Sequence, residues 1–216
     1  MSKSKQKRIY LLFPIVLLQH KSIYSCFTAA MEYALYARWC GEKGEMPKEE
    51  VAKKILGITY GNLELAFENG KQIFDSIQNS PLVMIDKDTI FKYYKNINLK
   101  LDDELVFRAF IALRAILGKN KKLANSNNDK LRELMGLNAM ELKITDYKLN
   151  KIKEVLQLNW GLKYYAHYTH GFWFSFNLSL SQLISKVEER KHSNKIKRLE
   201  EEKARIRENV MQSLNS

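Results

Sequence analysis

The stretch "TDYKLNKIKEVLQL", residues 145–158, carries hydroxyl, amide and ammonium side chains along one predicted helix. Ile152 and Leu156 fall on inward positions of the helical repeat, so the polar groups lie on other faces. Such groups at the front of a helix suit phosphates and base edges. The alternative is an ordinary solvated helix surface. The candidate contact residues are Thr145, Lys148, Asn150, Lys151 and Lys153, with Lys143 just ahead of them.

Two further segments supply basic side chains near this helix in the chain. The loop "GKNKKLANSNN", residues 118–128, brings Lys119, Lys121 and Lys122 just before a helix. In "LKYYAHY" the period-two alternation places Lys163 and His167 on one strand face, away from Tyr164. We expect the loop lysines to meet the phosphate backbone near the start of the second helix, and Lys163 and His167 to reach phosphate beside the hairpin.

Metal and catalytic sites are not predicted. His167 and His170 stand three residues apart, but the sequence around them offers no cysteine or carboxylate to complete a zinc site. The chain has no G-x-x-x-x-G-K-[ST] phosphate loop and no histidines paired with acids at catalytic spacing. The sequence therefore predicts a non-enzymatic protein without a cofactor.

The net charge of +12 and a pI near 9.5 favour a polyanionic partner or an anionic surface. Charge alone does not separate nucleic acid from membrane. Residues 1–21 carry five Lys/Arg and no acid, and residues 22–100 are balanced. The remaining excess lies in the second half of the chain.

The beginning of the chain imitates a secretory signal, because four basic residues precede the apolar run Tyr10 to Leu18. Against secretion, Pro14 splits the run, no small-x-small cleavage site follows, and the run is too short to cross a bilayer. We expect a buried first element behind a basic arm. Its buried residues should include Leu11, Leu12, Ile15, Val16 and Leu17.

Two cysteines, Cys26 and Cys40, make no disulfide framework in a chain of this size. Reduced thiols indicate a cytoplasmic protein, and no membrane partner is expected.

An internal repeat appears at an offset of 79 residues. "EVAKKILGI" (50–58) lies over "DKLRELMGL" (129–137), which aligns Gly57 with Gly136. Each copy predicts a long apolar helix (22–39 and 102–117), a short helix, a glycine turn and a third helix (60–77 and 145–158). Period-two segments follow: "PLVMI" with "TIFKYY", and "LKYYAHY" with "FWFSFNL". The predicted fold is mainly α with small β-hairpins, of the α+β class.

This order of elements resembles winged-helix DNA-binding proteins, and two copies in tandem are similar to plasmid and phage replication initiators. The resemblance covers residues 22–180 and rests on element order and the glycine turn, since no initiator-specific motif matches. It implies double-stranded DNA recognition, with the third helix in the major groove and the hairpin near the backbone. It also implies replication initiation at an origin, or transcriptional regulation at a promoter.

The predicted organisation is a basic arm with a first element (1–21), winged helix-turn-helix units at 22–98 and 99–180, and a polar C-terminal helix (181–216). We expect unit 2 to bind the DNA. The third helix of unit 1 carries the acidic residues Glu64 and Glu68 and only one basic residue, Lys71, so it should repel phosphates. A homodimer or another protein is expected on unit 1 or on the C-terminal helix. The rival hypothesis is a protein-interaction module. Its basic residues would then form an ordinary solvated surface and would not contact DNA.

Overall fold

The computed structural model describes residues 9–19, 26–56, 61–77, 79–94, 101–119, 121–136, 144–167 and 171–214. The chain is mainly helical, with two small antiparallel sheets and a long C-terminal helix, so the predicted α+β class is confirmed. The helices are α1 (Cys26–Gly41), α2 (Lys48–Leu56), α3 (Leu63–Ser76), α4 (Lys87–Tyr94), α5 (Leu101–Leu117), α6 (Asn128–Leu134), α7 (Asp146–Asn159) and α8 (Leu180–Leu214). The strands are β1 (Tyr10–Pro14), β2 (Leu82–Asp86), β3 (Ala124–Ser126), β4 (Lys163–His167) and β5 (Gly171–Ser175).

The second half of the chain contains the predicted three helices and hairpin. β4 and β5 pair antiparallel, with Tyr165 opposite Trp173. β3, which the sequence did not predict, lies between α5 and α6 in the chain and pairs with β5, so the sheet order is β3-β5-β4. Three residues are too short to show a period of two, which is why this strand escaped the sequence pattern.

The first half departs from the prediction after its third helix. The segment "TIFKYY" was expected to be a strand, but it belongs to α4, so the hairpin predicted around residues 86–88 is wrong. The Oδ1 of Asp86 accepts a hydrogen bond from the backbone N–H of Asp88 at 2.8 Å, which supports the start of this helix. β2 pairs with β1 instead, with Leu11 opposite Ile85.

The apolar run near the beginning of the chain is therefore a strand followed by a 3₁₀ turn over Ile15–Gln19. Leu11 and Leu17 are buried as expected, whereas Leu12 and Val16 are exposed and the prediction for them is wrong. Leu12 lies on the outer face because successive strand residues point to opposite sides.

One hydrophobic core runs through both predicted units, from Leu11 in β1 to Phe174 in β5. A buried polar network crosses it. The guanidinium of Arg108, fully buried on α5, donates from Nη1 to the carbonyl oxygens of Leu18 at 2.6 Å and Met135 at 3.1 Å. On the same helix, Glu104 accepts from the backbone N–H of Phe27 at 3.2 Å. α5 thus ties the first element and α1 to the turn after α6.

Gly136 occupies that turn with a φ of +70°. A Cβ added there would lie 1.6 Å from the carbonyl oxygen of Leu18, so the backbone of the first element leaves no space for a side chain. Gly57, its expected counterpart, lies outside the described residues, and the equivalence of the two turns stays a prediction.

The first turns of α8 pack on the sheet of the second half. Leu183 and Val187 are buried against a cluster that includes Leu123, Tyr165 and Trp173. Every residue from 192 to 212 is exposed, so the remainder of the helix extends beyond the sheet.

Candidate nucleic-acid interface

α7 is held in place by its cap and by one apolar face. The Oγ1 of Thr145 accepts from the backbone N–H of Lys148 at 3.2 Å and caps the helix. Leu149, Ile152 and Leu156 are buried in the core. The opposite face of the helix is consequently turned to solvent.

That solvent face presents Thr145, Asn150 and Lys151, which were predicted as contacts, together with Tyr147. Tyr147 is 72% exposed, and the Lys151 ammonium lies 5.8 Å from the centroid of its ring. An exposed amide, ammonium and phenol on one helix face can reach phosphates and base edges in a groove. Tyr147 was not singled out from the sequence, because an aromatic residue at a helix start reads equally well as a core residue.

Carboxylates offset much of the positive charge on α7. The Lys148 ammonium lies 2.7 Å from a carboxylate oxygen of Asp102 on α5, and that of Lys151 lies 2.9 Å from Glu154. The hydrogen bond that the Lys151 ammonium donates to Glu154 raises the pKa of Lys151. Both pairs are at the surface, where ion pairs exchange partners at little cost in free energy. The two lysines remain available to phosphate, although the helix is less basic than its lysine content suggested.

Lys153 is not an exposed contact, and its predicted DNA-facing position is wrong. Its side chain is 4% exposed, and Nζ donates to Oδ1 of Asn128 at 3.2 Å. The ammonium lies 4.6 Å from the ring centroid of Phe172 and 5.4 Å from that of Tyr164. Burial lowers the pKa of Lys153. This lysine joins α7 to α6 and to the hairpin.

α6 and α7 are joined in addition by a polar cluster at their N-terminal ends. Arg132 donates from Nε to the carbonyl of Ile144 at 2.8 Å and pairs with Asp146. The side-chain amide of Asn128 also donates to Asp146, at 3.0 Å. This hydrogen bond, with the one from Arg132, lowers the pKa of Asp146. The cluster fixes the front of α7 relative to α6.

The other predicted lysines in the described residues lie at the end of the sheet that is away from the front of α7. In the described part of the chain, Lys119, Lys121 and Lys122 form no ion pair and are exposed. The Oγ of Ser175 donates to the Lys122 carbonyl at 2.7 Å, and Ser175 stands opposite Lys163 in the β4–β5 pair. These four lysines form the cluster that we call the basal patch.

The front of α7 is at the other end of the strands. Gly171 begins β5 so close to β3 that an added Cβ would lie 2.1 Å from the Ser126 carbonyl oxygen. Asn128, which follows β3, contacts Asp146 at the start of α7. A five-residue strand spans roughly 15 Å, so the basal patch and the front of α7 are separate surfaces. That the basal patch contacts the DNA backbone stays a prediction.

Lys163 also differs from the expectation of an open strand face. It shares its side of the hairpin with Tyr165 and Trp173, which α8 covers, and it is half-buried. The other side of the hairpin carries Phe172 and Phe174, both buried in the core. Lys143, His170 and the side chain of His167 lie outside the described residues, so their predicted roles stay predictions.

A cavity of about 430 Å³ adjoins the basal patch. Lys119, Lys121 and Arg114 line it together with apolar side chains of β1 and β2. Arg114 was not identified from the sequence. Its guanidinium donates to the Met84 carbonyl at 3.1 Å and lies 5.4 Å from the ring centroid of Phe176, so it helps to hold β2 against α5.

Within the described residues, no group of three or more histidine, cysteine, aspartate or glutamate side chains is placed to hold a metal ion. No helix in the same part of the chain is long and apolar enough to cross a membrane. Comparison of the chain with protein families, curated proteins and solved structures yields no match.

Proposed function

We propose that this chain is a non-enzymatic, cytoplasmic protein that binds double-stranded DNA through the exposed face of α7. The observation that carries the proposal is the arrangement of α5, β3, α6, α7, β4 and β5. Helix, strand, helix, helix, strand, strand, with the first strand paired to the last, is the order of a winged helix. In that arrangement the last helix before the hairpin lies in the major groove, and its side chains contact the base edges.

The side chains on this helix support the same conclusion. Asn150 and Lys151 are exposed on α7, next to an exposed Tyr147, while the apolar side anchors the helix. An amide can pair bidentately with adenine, and a lysine can neutralise a phosphate. The net charge of +12 favours association with a polyanion at low salt.

The proposed phosphate contacts fall into two sets. Lys148 and Lys151 would exchange their carboxylate partners for phosphates when α7 enters a groove. The basal patch lies roughly 15 Å away along the strands. We therefore assign specific recognition to α7 and only auxiliary, sequence-independent attraction to the basal patch.

The test compares the affinities of three lysine-to-alanine variants for duplex DNA. Fluorescence anisotropy measures each affinity across a salt series. Lys148→Ala with Lys151→Ala should weaken binding by roughly tenfold or more. The slope of log affinity against log salt should become shallower by about one unit for each lost phosphate contact. The matched control is Lys71→Ala, an exposed lysine on α3, which should change affinity much less.

The third variant removes three lysines of the basal patch, Lys119, Lys121 and Lys122. It should weaken binding to all sequences alike, whereas Asn150→Ala should relax sequence preference. A larger loss from the basal patch than from α7, with sequence preference intact, would refute recognition by α7. Selection of bound sequences from a random duplex pool, and their position relative to an origin or a promoter, then separates replication initiation from transcriptional regulation.

A second candidate function is a protein-assembly module. The observation that favours it is the pairing of Lys148 and Lys151 with carboxylates, together with Leu158, which is 83% exposed on α7. A chain that shows no salt-dependent affinity for duplex DNA at low ionic strength would support this function over the first.

A further inference from the structure

The exposed end of α8 carries a stripe of apolar side chains. Ile196, Leu199, Ile206 and Val210 are 43%, 47%, 56% and 50% exposed. Their spacing of three, seven and four residues places them at the a and d positions of a heptad repeat, with Lys203 at an a position between them. Most of the stability of a helix in a protein comes from packing of its apolar face. The stripe therefore fits a second helix with the same repeat.

The residues that flank the stripe match those of a second copy. Lys195 and Glu202 occupy g positions, and Glu200 and Arg207 occupy e positions. In a parallel, in-register pair each g side chain meets the e side chain five residues further along the other helix. Lys195 would then face Glu200 of the second copy, and Glu202 would face Arg207 of the second copy. Both contacts join opposite charges, and each occurs twice in a symmetric pair.

The ion pairs within α8 leave these flanking positions unused. Lys197 lies 3.7 Å from Glu201, and this pair is on the outer side of the heptad, at positions b and f. None of Lys195, Glu200, Glu202 and Arg207 forms an ion pair with another described residue. The charges that a partner helix would meet are free to pair with it.

We propose that residues 195–212 of α8 associate with the same segment of a second copy as a parallel two-stranded coiled coil. Ile196 and Val210 at a positions with Leu199 at d favour two strands, and Lys203 at an a position offsets the preference of Ile206 at d for larger assemblies. Lys203 at an a position weakens the pair but restricts it to an in-register dimer, since its long stem can carry the ammonium out to solvent. The dimer is independent of the proposed DNA contact. Together the two predict a two-fold-symmetric DNA site.

Sedimentation equilibrium on the full chain tests the dimer. The wild type should associate reversibly to a dimer, and Leu199→Lys should weaken this association by roughly tenfold or more, because it removes a d-position contact. Met211→Lys is the matched control, since Met211 is 60% exposed but occupies an outer b position. It should change the dissociation constant by less than about twofold. A monomeric wild type, or equal effects of the two variants, would overturn the proposal.

Charge exchange tests the parallel register. Glu202→Lys should weaken the dimer by placing two positive charges together on each flank. Adding Arg207→Glu to it should restore the wild-type affinity, because Lys at 202 then faces Glu at 207. In addition, Lys203→Cys should form an intermolecular disulfide under mild oxidation, and Met211→Cys should not. Failure of the second charge change to restore association, or efficient cross-linking at 211 rather than 203, would rule out the parallel arrangement.

Discussion

Replacing Gly136 by alanine should destabilise the fold far more than an ordinary glycine substitution. The first contribution is conformational: at a φ of +70° a residue with a Cβ costs on the order of 1 kcal/mol relative to glycine. The second is steric, because the new methyl carbon would lie 1.6 Å from the carbonyl oxygen of Leu18. The backbone of the 3₁₀ turn must then move by more than an ångström.

That movement breaks a buried hydrogen bond. The Leu18 carbonyl accepts from the Arg108 guanidinium at 2.6 Å, and a charged hydrogen bond contributes about 1.5–3 kcal/mol. The sum with the conformational cost is about 2.5–4 kcal/mol, with the rest of the core in place. Urea unfolding, followed by circular dichroism, measures this loss as a lower transition midpoint at unchanged slope.

Gly118 supplies the matched control. Its φ is +65°, close to that of Gly136, but an added Cβ would meet no atom within 4 Å. Gly118→Ala should therefore cost only the conformational contribution, on the order of 1 kcal/mol. If the two variants lose free energy of unfolding within about 1 kcal/mol of each other, the close approach of the first element to Gly136 does not contribute as argued.

Two further predictions concern buried ionisable side chains. Burial raises the pKa of Glu104 to about 7, although Arg108 opposes the shift. The folded protein therefore holds this proton more tightly than the unfolded chain does. The free energy of unfolding should fall by on the order of 3 kcal/mol as pH rises from about 4.5 to 7. Glu104→Gln should abolish this fall. Urea unfolding of both proteins at pH 5 and pH 8 measures it. The prediction is contradicted if the free energies of unfolding of the two proteins differ by the same amount at both pH values. Lys153→Ala should lower the melting temperature by leaving a cavity beside Phe172, while Lys153→Met should restore most of the stability. Neither change should alter the salt dependence of DNA binding, and a shallower slope for Lys153→Met would return Lys153 to the interface.

Local patterns of the sequence determined most helices and the second hairpin. The buried positions Leu149, Ile152 and Leu156 follow a helical period in α7, and Thr145 is a cap residue at its start. The alternation in "FWFSF" likewise indicates which residues of β5 are buried. Such features depend on neighbours within a few residues along the chain, so periodicity and capping preferences reveal them.

Only the tertiary structure decided which distant segments meet. β2 was predicted to pair with the residues that follow it, yet its partner is β1, about seventy residues earlier, and the intervening helices bring the two together. Strand pairing depends on backbone hydrogen bonds that any extended segment can offer, so the side-chain pattern does not name the partner.

The placement of the basic side chains was decided in the same way. Lys151 and Lys153 are two residues apart on one helix, but the first is exposed and the second lies buried over Phe172. The sequence established that the second half is basic and predicted its three helices and its hairpin. The packing of the hairpin and α6 against α7 decided which lysines face solvent. A charged group is buried only where distant residues supply an acceptor and aromatic faces for it.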